Sequence, residues 1–301
     1  MLVQRLSIII PNLNSPIINR TLAALRSQRF PSGNLEVIVV GRDEKGLVKE
    51  DSVVRFVDTG EPVPPAVARN WGIEQAKGDL ICLLDADCIP SEDWLFYLLA
   101  PYADPTVTIV GGSVAFPPSP YWRLADNLAT FYPYLSSTPP GERDLLPTIN
   151  LSFRRQVWEE VGPFDERYPY PAGEDSDWGA RARLAGHRLL FEPRAVVTHF
   201  PARTTFKDLW RHAVTFGQYS IKVDERYWSV LGRPLVFKHW GLTLMMAPVM
   251  AAWVTARVFW NPRSWKYVHT LPAVLLAKIG WCWGASKRLR GEVIWNDPSA
   301  A

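Results

Sequence analysis

Residues 79–90 read DLICLLDADCIP, and the five apolar residues from Leu80 to Leu84 run directly into Asp85 and Asp87. A run this short and solid reads as an interior strand of a parallel sheet, since such strands are buried on both faces and lose the in-out alternation. Two carboxylates at its end would be costly to bury unless each is hydrogen-bonded or faces a cation. The carboxyl ends of parallel strands are where open α/β sheets hold their ligands, so a divalent ion or a polar ligand is expected there. The plainer alternative is an Asx-type turn leaving a strand.

Working towards the N-terminus, the helix before this strand covers about residues 64–76, with Val67, Trp71 and Ile73 as apolar positions and Lys77-Gly78 as its stop. It carries Arg69 and Asn70. Arg69 is aimed either at a phosphate or at one of the acids, or is a surface arginine. LSIII at 6–10, LEVIVV at 35–40 and VVRFV at 53–57 read as strands, and Ser15-Pro16 reads as the cap and first turn of a helix bearing Ile18, Leu22 and Leu25. Strand, helix, strand, strand, helix, strand is the order of a doubly wound nucleotide-binding half domain. No G-x-G-x-x-G follows the first strand, which disfavours a dinucleotide site.

Towards the C-terminus, Ser91 is expected to cap a helix to about Leu99, and VTIVGGSV at 107–114 is a strand in which Gly111-Gly112 permits a bulge or a close approach. Residues 117–145 are rich in Pro, Tyr and Ser, have no clean period, and read as a mobile crossover over the cleft. NLSFRR at 150–155 is a short strand, and Gln156–Val161 a helical turn stopped by Gly162. Gly173, Glu174 and Asp175 then precede a helix carrying Trp178 and Ala182. Free amides and the helix dipole favour anions at that end, so capping alone would account for one of the two acids, while the same field keeps a carboxylate ionised. RAVVT at 194–198 is a strand ending at His199, read as either a ligand or a buried structural histidine, and residues 204–222 form an amphipathic helix.

The formal net charge of +3 is unevenly spread: residues 226–301 hold ten Lys or Arg against Glu292 and Asp297, leaving residues 1–225 acidic. An acidic front half excludes a nucleic-acid footprint there. The three cysteines, Cys82, Cys88 and Cys282, have no zinc-like spacing and imply a reducing compartment. Leu2–Ile10 reads as fold sequence and not as a leader, which places the catalytic portion in the cytoplasm. The division is expected at 225/226, with 226–301 a membrane-associated region of two hydrophobic helices. Between Lys238 and Arg257 lie 18 uncharged residues, and 267–286 carries only Lys278. Nine of the fourteen tryptophans fall from Trp210 to Trp295, mostly near the ends of these stretches, in the interfacial aromatic pattern. Both stretches are near the lower length limit for a span, and a two-span hairpin, an in-plane pair and a buried core hairpin all remain open.

Taken together, SIIIPNLN (7–14), ARNWGIEQAKGDLICLLDADCIP (68–90), NLSFRRQVWEEVGPFDE (150–166) and GEDSDWGARARLAGHRLLFEPRAVVTH (173–199) resemble a family 2 inverting glycosyltransferase of the type A fold over about residues 6–217. The resemblance implies an α/β fold: a single nucleotide-diphospho-sugar-binding domain with a mostly parallel central sheet, plus the C-terminal hydrophobic helical region. It implies that Pro11, Asn14, Asp43, Arg69, Asp85 and Asp87 bind the donor, that Asp87 and His199 hold Mn2+ or Mg2+, and that Asp175 is the general base with Glu174 as its companion. Leu13 stands where relatives carry an aromatic residue, and GRDE at 41–44 replaces the usual acidic pair, with Asp43 in place of the base-reading aspartate. UDP is the favoured donor form over GDP or dTDP. The Q-x-x-R-W pattern of processive relatives is absent, since YSIKV follows Gln218, so transfer of a single sugar is expected. The implied activity is metal-dependent transfer to a hydroxyl of a lipid-linked or envelope glycan acceptor, at the cytoplasmic face of the membrane. The alternatives are a nucleotidyltransferase, which needs a glycine-rich basic loop where PNLNSP stands, and a non-catalytic membrane-associated scaffold.

Overall fold

The β-branched runs become the parallel half of one sheet: β1 (Leu6–Leu13), β2 (Leu35–Arg42), β3 (Val54–Asp58) and β4 (Leu80–Leu84). All of β4 is buried, as its lack of alternation requires. The computed structural model describes residues 5–30, 34–232 and 235–292, so Leu2–Gln4, Trp295 and Asp297 in the sequence reading lie outside the described residues. The chain forms two compact units, Met1–Ala115 with Tyr134–Phe200 and Phe116–Pro133 with Pro201–Ala301. The sequence reading placed its division at 225/226, whereas α7 (Phe206–Leu231) belongs wholly to the second unit.

The first unit adds β5 (Cys88–Pro90), β6 (Ile109–Ala115), β7 (Gly141–Arg143), β8 (Asn150–Arg154) and β9 (Leu189–His199) in the order β3-β2-β1-β4-β8-β6-β9-β5, with β7 also on β9. The two longest ladders, β1 with β2 and β6 with β9, are parallel, while β8 runs antiparallel to both β4 and β6, so the sheet is mixed. Its helices are α1 (Ile18–Arg26), α2 (Pro65–Gln75), α3 (Trp94–Leu99), α5 (Arg155–Val161) and α6 (Glu174–Leu184). On one side of the sheet Ile9, Ile38, Leu83, Phe153, Phe164 and Trp178 share a buried cluster. Each such side chain contributes about 1.5–3 kcal/mol through burial. The Gly111-Gly112 pair behaves as its sequence suggests: the β6–β9 register shifts between Gly112 and Ser113. A Cβ on Gly112 would lie 2.3 Å from the Ala195 carbonyl oxygen and from the Asn150 amide.

Two helix starts differ from the sequence reading. Neither Ser15 nor Ser91 caps a helix; the N-caps are Ile17 and Asp93, without side-chain hydrogen bonds. Ser15 instead donates its hydroxyl to the Ala86 carbonyl at 2.9 Å, and Thr21 does the same at 3.2 Å, so α1 is pinned to the acidic turn. The three cysteines are buried free thiols.

The stretch 117–145 is not a structureless crossover. It contains α4 (Tyr121–Phe131) in the second unit and β7 in the first. Leu124, Ala125, Leu128 and Ala129 give α4 a buried face, and Asp126 is buried with them because Arg203 and His212 each reach it at 2.6 Å. α7 opens with a reciprocal capping box between Thr205 and Asp208. The two apolar stretches are α8 (Trp240–Trp260) and α9 (Leu271–Leu289). Among the described residues, α8 is the one helix whose length and composition suffice to cross a membrane. α9 crosses α7 backbone to backbone: a Cβ on Gly217 would lie 2.0 Å from the Trp281 carbonyl oxygen, and one on Gly284 2.0 Å from that of Val214.

Candidate active site

The carboxyl edge of the parallel strands collects polar groups in register. Asn12 of β1 lies beside Gly41 of β2, which lies beside Asp58 of β3. The Asn12 side chain donates to the Arg42 carbonyl at 2.7 Å and accepts from the Ser15 amide at 3.1 Å, fixing the bend that follows β1. Pro11 sits in β1 opposite Val40. Asn14 takes a left-handed conformation (φ 55°), and its side-chain oxygen accepts from the Glu44 amide at 2.8 Å. Asp43 accepts from the Leu47 and Val48 amides at 3.1 and 2.7 Å, so both its oxygens also hold their own loop. Leu13 is exposed beside them.

At the end of β4 the chain turns through Asp85-Ala86-Asp87, closed by the Cys88 amide donating to the Asp85 carbonyl at 3.0 Å. β5 then pairs antiparallel with the end of β9, which sets Cys88 opposite His199. The Phe200 amide donates to the Asp87 carbonyl at 2.9 Å. The His199 Nε2 therefore comes within 3.5 Å of the Asp87 carboxylate. Ligand atoms of Asp87, Cys88 and His199 lie within 4.8 Å of one another. Burial raises the pKa of the Cys88 thiol well above its ordinary value, with Asp87 and Asp85 adding to the effect. Asp87 and His199 offer one carboxylate and one imidazole, with Asp85 alongside. That donor set fits a hard or borderline divalent ion completed by phosphate oxygens and water.

Arg69 joins this end of the site to the acids of α6. Its guanidinium lies 3.3 Å from Asp85 and 2.7 Å from Glu174, with Arg69 and Glu174 both about 3 % exposed. It is thus no surface arginine. Burial opposes its charge, but the carboxylates of Glu174 and Asp85 outweigh burial and raise its pKa. α6 starts from Gly173 in a left-handed conformation, so Glu174 and Asp175 are its first two residues and neither is the N-cap. Asp175 accepts from the Ser176 amide at 2.7 Å. Burial raises its pKa, against Arg69 and against hydrogen bonds from Ser176 and from the Thr148 backbone. Burial, reinforced by Asp175, also brings Glu174 up to about 7. One of its oxygens, Oε2, is buried without a hydrogen-bond partner. Asp85 keeps a third of its side chain open, yet burial beneath it raises its pKa, with the Asp87 charge acting in the same direction.

The structure thus brings Arg69, Asp85, Asp87, Glu174, Asp175 and His199 into one constellation, while Pro11, Asn14 and Asp43 lie along the strand ends beside it. The sequence reading missed the braces. Asn150 spans the sheet beneath the acids, donating to the Ser113 and Ala195 carbonyls at 3.0 and 2.9 Å and accepting from Trp94 Nε1 at 2.9 Å. Asn70 clamps Phe164 by exchanging two hydrogen bonds of 2.9 Å with its backbone.

A mixed sheet with carboxylates at its parallel carboxyl edge, closed by a second acidic pair on a helix N-terminus, is the arrangement that the resemblance to a nucleotide-sugar-dependent glycosyltransferase leads one to expect. The model of Glycosyl transferase family 2 matches residues 7–162, and the chain belongs to that family. It is 31% identical over 227 residues to glycosyltransferase AglE of Haloferax volcanii, covering 72% of this chain and 73% of that protein. It is 25% identical to the glucosyl-dolichyl phosphate glucuronosyltransferase of the same organism, over 62% of this chain and 66% of the relative. Among solved structures, the mannosyltransferase PcManGT from Pyrobaculum calidifontis in complex with GDP-Man and Mn2+ superposes with a TM-score of 0.62 at 21% identity, over 96% of this chain and 88% of that one. GalNAc-T7 with UDP, GalNAc and Mn2+ superposes with a TM-score of 0.56 at 16% identity, over 83% and 51%. These two likenesses establish the fold.

Proposed function

We propose that the protein transfers a single sugar from a nucleotide-sugar donor to a hydroxyl of a lipid-linked or envelope glycan acceptor, with a divalent ion and with inversion at the anomeric carbon. The observation that carries this reading is the Asp85–Arg69–Glu174 bridge, which ties the acidic turn to the pair holding the base. Asp87 and His199 would hold the ion, and the imidazole favours Mn2+ over Mg2+. When bound, the ion supplies charge stabilisation to the departing diphosphate. Asp85 and the bends at Asn12–Asn14 and Asp43 orient the nucleoside, with uridine the favoured base. Asp175, its pKa raised by burial, takes the proton of the acceptor hydroxyl, which alone is a poor nucleophile at neutral pH. One base and one displacement from the opposite face invert the carbon. Two solved neighbours carry Mn2+ with a nucleotide or a nucleotide sugar, and one relative is named for a dolichyl phosphate substrate, which supports the ion and the lipid-linked class.

Release of nucleoside diphosphate from a panel of UDP-, GDP- and dTDP-sugars, with and without Mn2+, tests this reading. Mn2+-dependent release is expected, and Asp87→Ala should weaken donor binding at least tenfold only when Mn2+ is present. Pyrophosphate release from a nucleoside triphosphate would instead identify a nucleotidyltransferase, and no release with any donor and acceptor would leave a scaffold.

The same reading places the protein at the cytoplasmic face of a membrane, with α8 lying in the interface plane. Met245, Val249, Trp253 and Trp260 are exposed on α8, while its opposite face of small residues, including Ala247 and Ala251, is buried. α9 packs on α8 and also on α4 and α7. Threading α9 through hydrocarbon would carry Lys278, with Asp126 and His212 of its neighbours, into lipid at high cost. An in-plane helix avoids this and keeps Arg263 and Lys266 on the cytoplasmic side, where basic residues are favoured. Cells expressing Lys266→Cys should therefore sediment the protein with membranes and label it with an impermeant maleimide only after the membrane is opened. Labelling in intact cells would establish two spans, and full recovery in the soluble fraction without detergent would remove the membrane altogether.

A further inference from the structure

The second unit contains a cavity of about 190 Å3 between α4, α7 and α9 that the proposed transfer does not use. Its polar wall is made by Lys278, His212 and Thr130, and its apolar wall by Phe216, Trp281 and Ala277. Among the described residues Asp126 is the one acid lining it. The charge of that acid is already engaged: one oxygen meets Arg203 and the other His212, each at 2.6 Å. Burial works against ionisation of Asp126, but His212 and Arg203 outweigh it and hold the carboxylate below its usual range. Among the described residues Lys278 forms no ion pair; its ammonium donates to the Ala129 carbonyl and lies 5.4 Å from the Tyr132 ring centroid. An ammonium has three donors, and burial lowers the pKa of this half-buried one to about 8, with Cys282 and the charge of Asp126 acting against burial. The Thr130 hydroxyl is spent on the Asp126 carbonyl at 2.9 Å, so it offers an acceptor and no donor.

We infer that this cavity is a second ligand site, which takes the terminal phosphate of an amphiphile, a phosphate monoester on a lipid. A compact cation suits phosphate as a point charge. Arg203 and Lys278, with His212 beside them, outnumber the single carboxylate of Asp126, so the cluster has an excess of basic groups that suits an anionic phosphate. Phe216, Trp281 and the alanines supply the apolar surface that the first methylenes of a lipid chain need, and a free inorganic ion would leave that surface unused. The inference rests on the membrane reading above, since the ligand must be delivered from a lipid surface.

Flotation of the full chain with phosphatidylcholine vesicles tests it, with phosphatidic acid or phosphatidylserine added to equal surface charge. The wild-type protein is expected to partition about tenfold more strongly onto the phosphatidic acid vesicles. Lys278→Met should remove that preference and keep the phosphatidylserine level, whereas Lys278→Arg should retain the preference. Should Lys278→Met fail to fold by circular dichroism, Thr130→Phe, which fills the cavity from its half-buried edge, takes its place. Glycerol 3-phosphate at millimolar concentration separates the sources: if it erases the preference, the phosphate group alone is recognised, and if the preference survives, the ligand is the lipid ester. Equal flotation on both vesicles, or a preference that persists in Lys278→Met or Thr130→Phe, overturns the inference while the membrane reading stands. Absence of flotation on either overturns both.

Discussion

Asp175→Asn is expected to lower sugar transfer about 10²–10⁴-fold, the usual contribution of a positioned base, while donor affinity stays within about twofold. The amide keeps the shape of the side chain and can still accept from the Ser176 amide, so α6 should start as before. Only basicity is removed. Turnover and donor binding measured on the same preparation separate the two roles: near wild-type turnover would reduce Asp175 to an acid that merely suits a helix N-terminus. The pH profile offers a second readout. Burial raises the pKa of Asp175 from its ordinary 3.8, so the acidic limb of the wild-type rate profile should lie above that value. In Asp175→Asn that limb should flatten, because the group that must lose its proton is gone.

Arg69→Met should have the larger structural effect. It leaves Glu174 buried beside Asp175 without its ion-pair partner and takes the guanidinium away from Asp85, and removing one partner of a buried ion pair costs about 3–5 kcal/mol. Activity should be lost with stability. Combining Arg69→Met with Glu174→Met should recover much of the stability and none of the transfer, since the unpaired buried charge disappears while the link from the acidic turn to the base does not return. Denaturant melts of the two single variants and the double variant measure the coupling. The sign of its pH dependence follows from Glu174, which the wild-type fold holds up at about 7 against a usual 4.5. A carboxyl raised on folding favours the folded state while protonated, so its contribution is complete below about 4.5 and is lost as pH rises through 7. Without Arg69 the carboxyl rises further, and the defect should be smaller at pH 5 than at pH 8. Additive single-variant effects would mean that Arg69 and Glu174 act separately.

The parallel half of the sheet was legible because its strands are short, solid apolar runs, β-branched in β1 and β2, and the acids stood out because the apolar β4 ended in them. Resemblance to a family then supplied their roles. α4 was hidden for a physical reason. Its buried face is interrupted by Asp126 and Asn127, and what makes Asp126 tolerable there, Arg203 and His212, lies 77 and 86 residues further on. Ser15 and Ser91 looked like caps because local spacing cannot reveal a competing partner. The Ala86 carbonyl claims the Ser15 hydroxyl from 71 residues away. Asn150 is similar: nothing in NLSFRR indicates that its amide will tie β6, β9 and α3 together, because those partners come from separate parts of the chain.

The contact between Arg69 and Glu174 spans 105 residues of chain, and the β5–β9 ladder that brings His199 to Asp87 closes a loop of similar length. Closure entropy grows slowly with loop length, so such separation is affordable. It also sets an order of events. A nascent chain that has emerged only as far as Gly173 holds the complete acidic turn and Arg69, yet lacks Glu174, the proposed base Asp175 and His199. On the proposed reading, ion affinity would be a property of the finished first unit and not of the Asp-x-Asp segment. A ligand bound to that state alone, at a hundred times its dissociation constant, would add about 2.7 kcal/mol to stability. Donor and ion would thus protect the assembled enzyme from unfolding, a protection that incomplete chains cannot share.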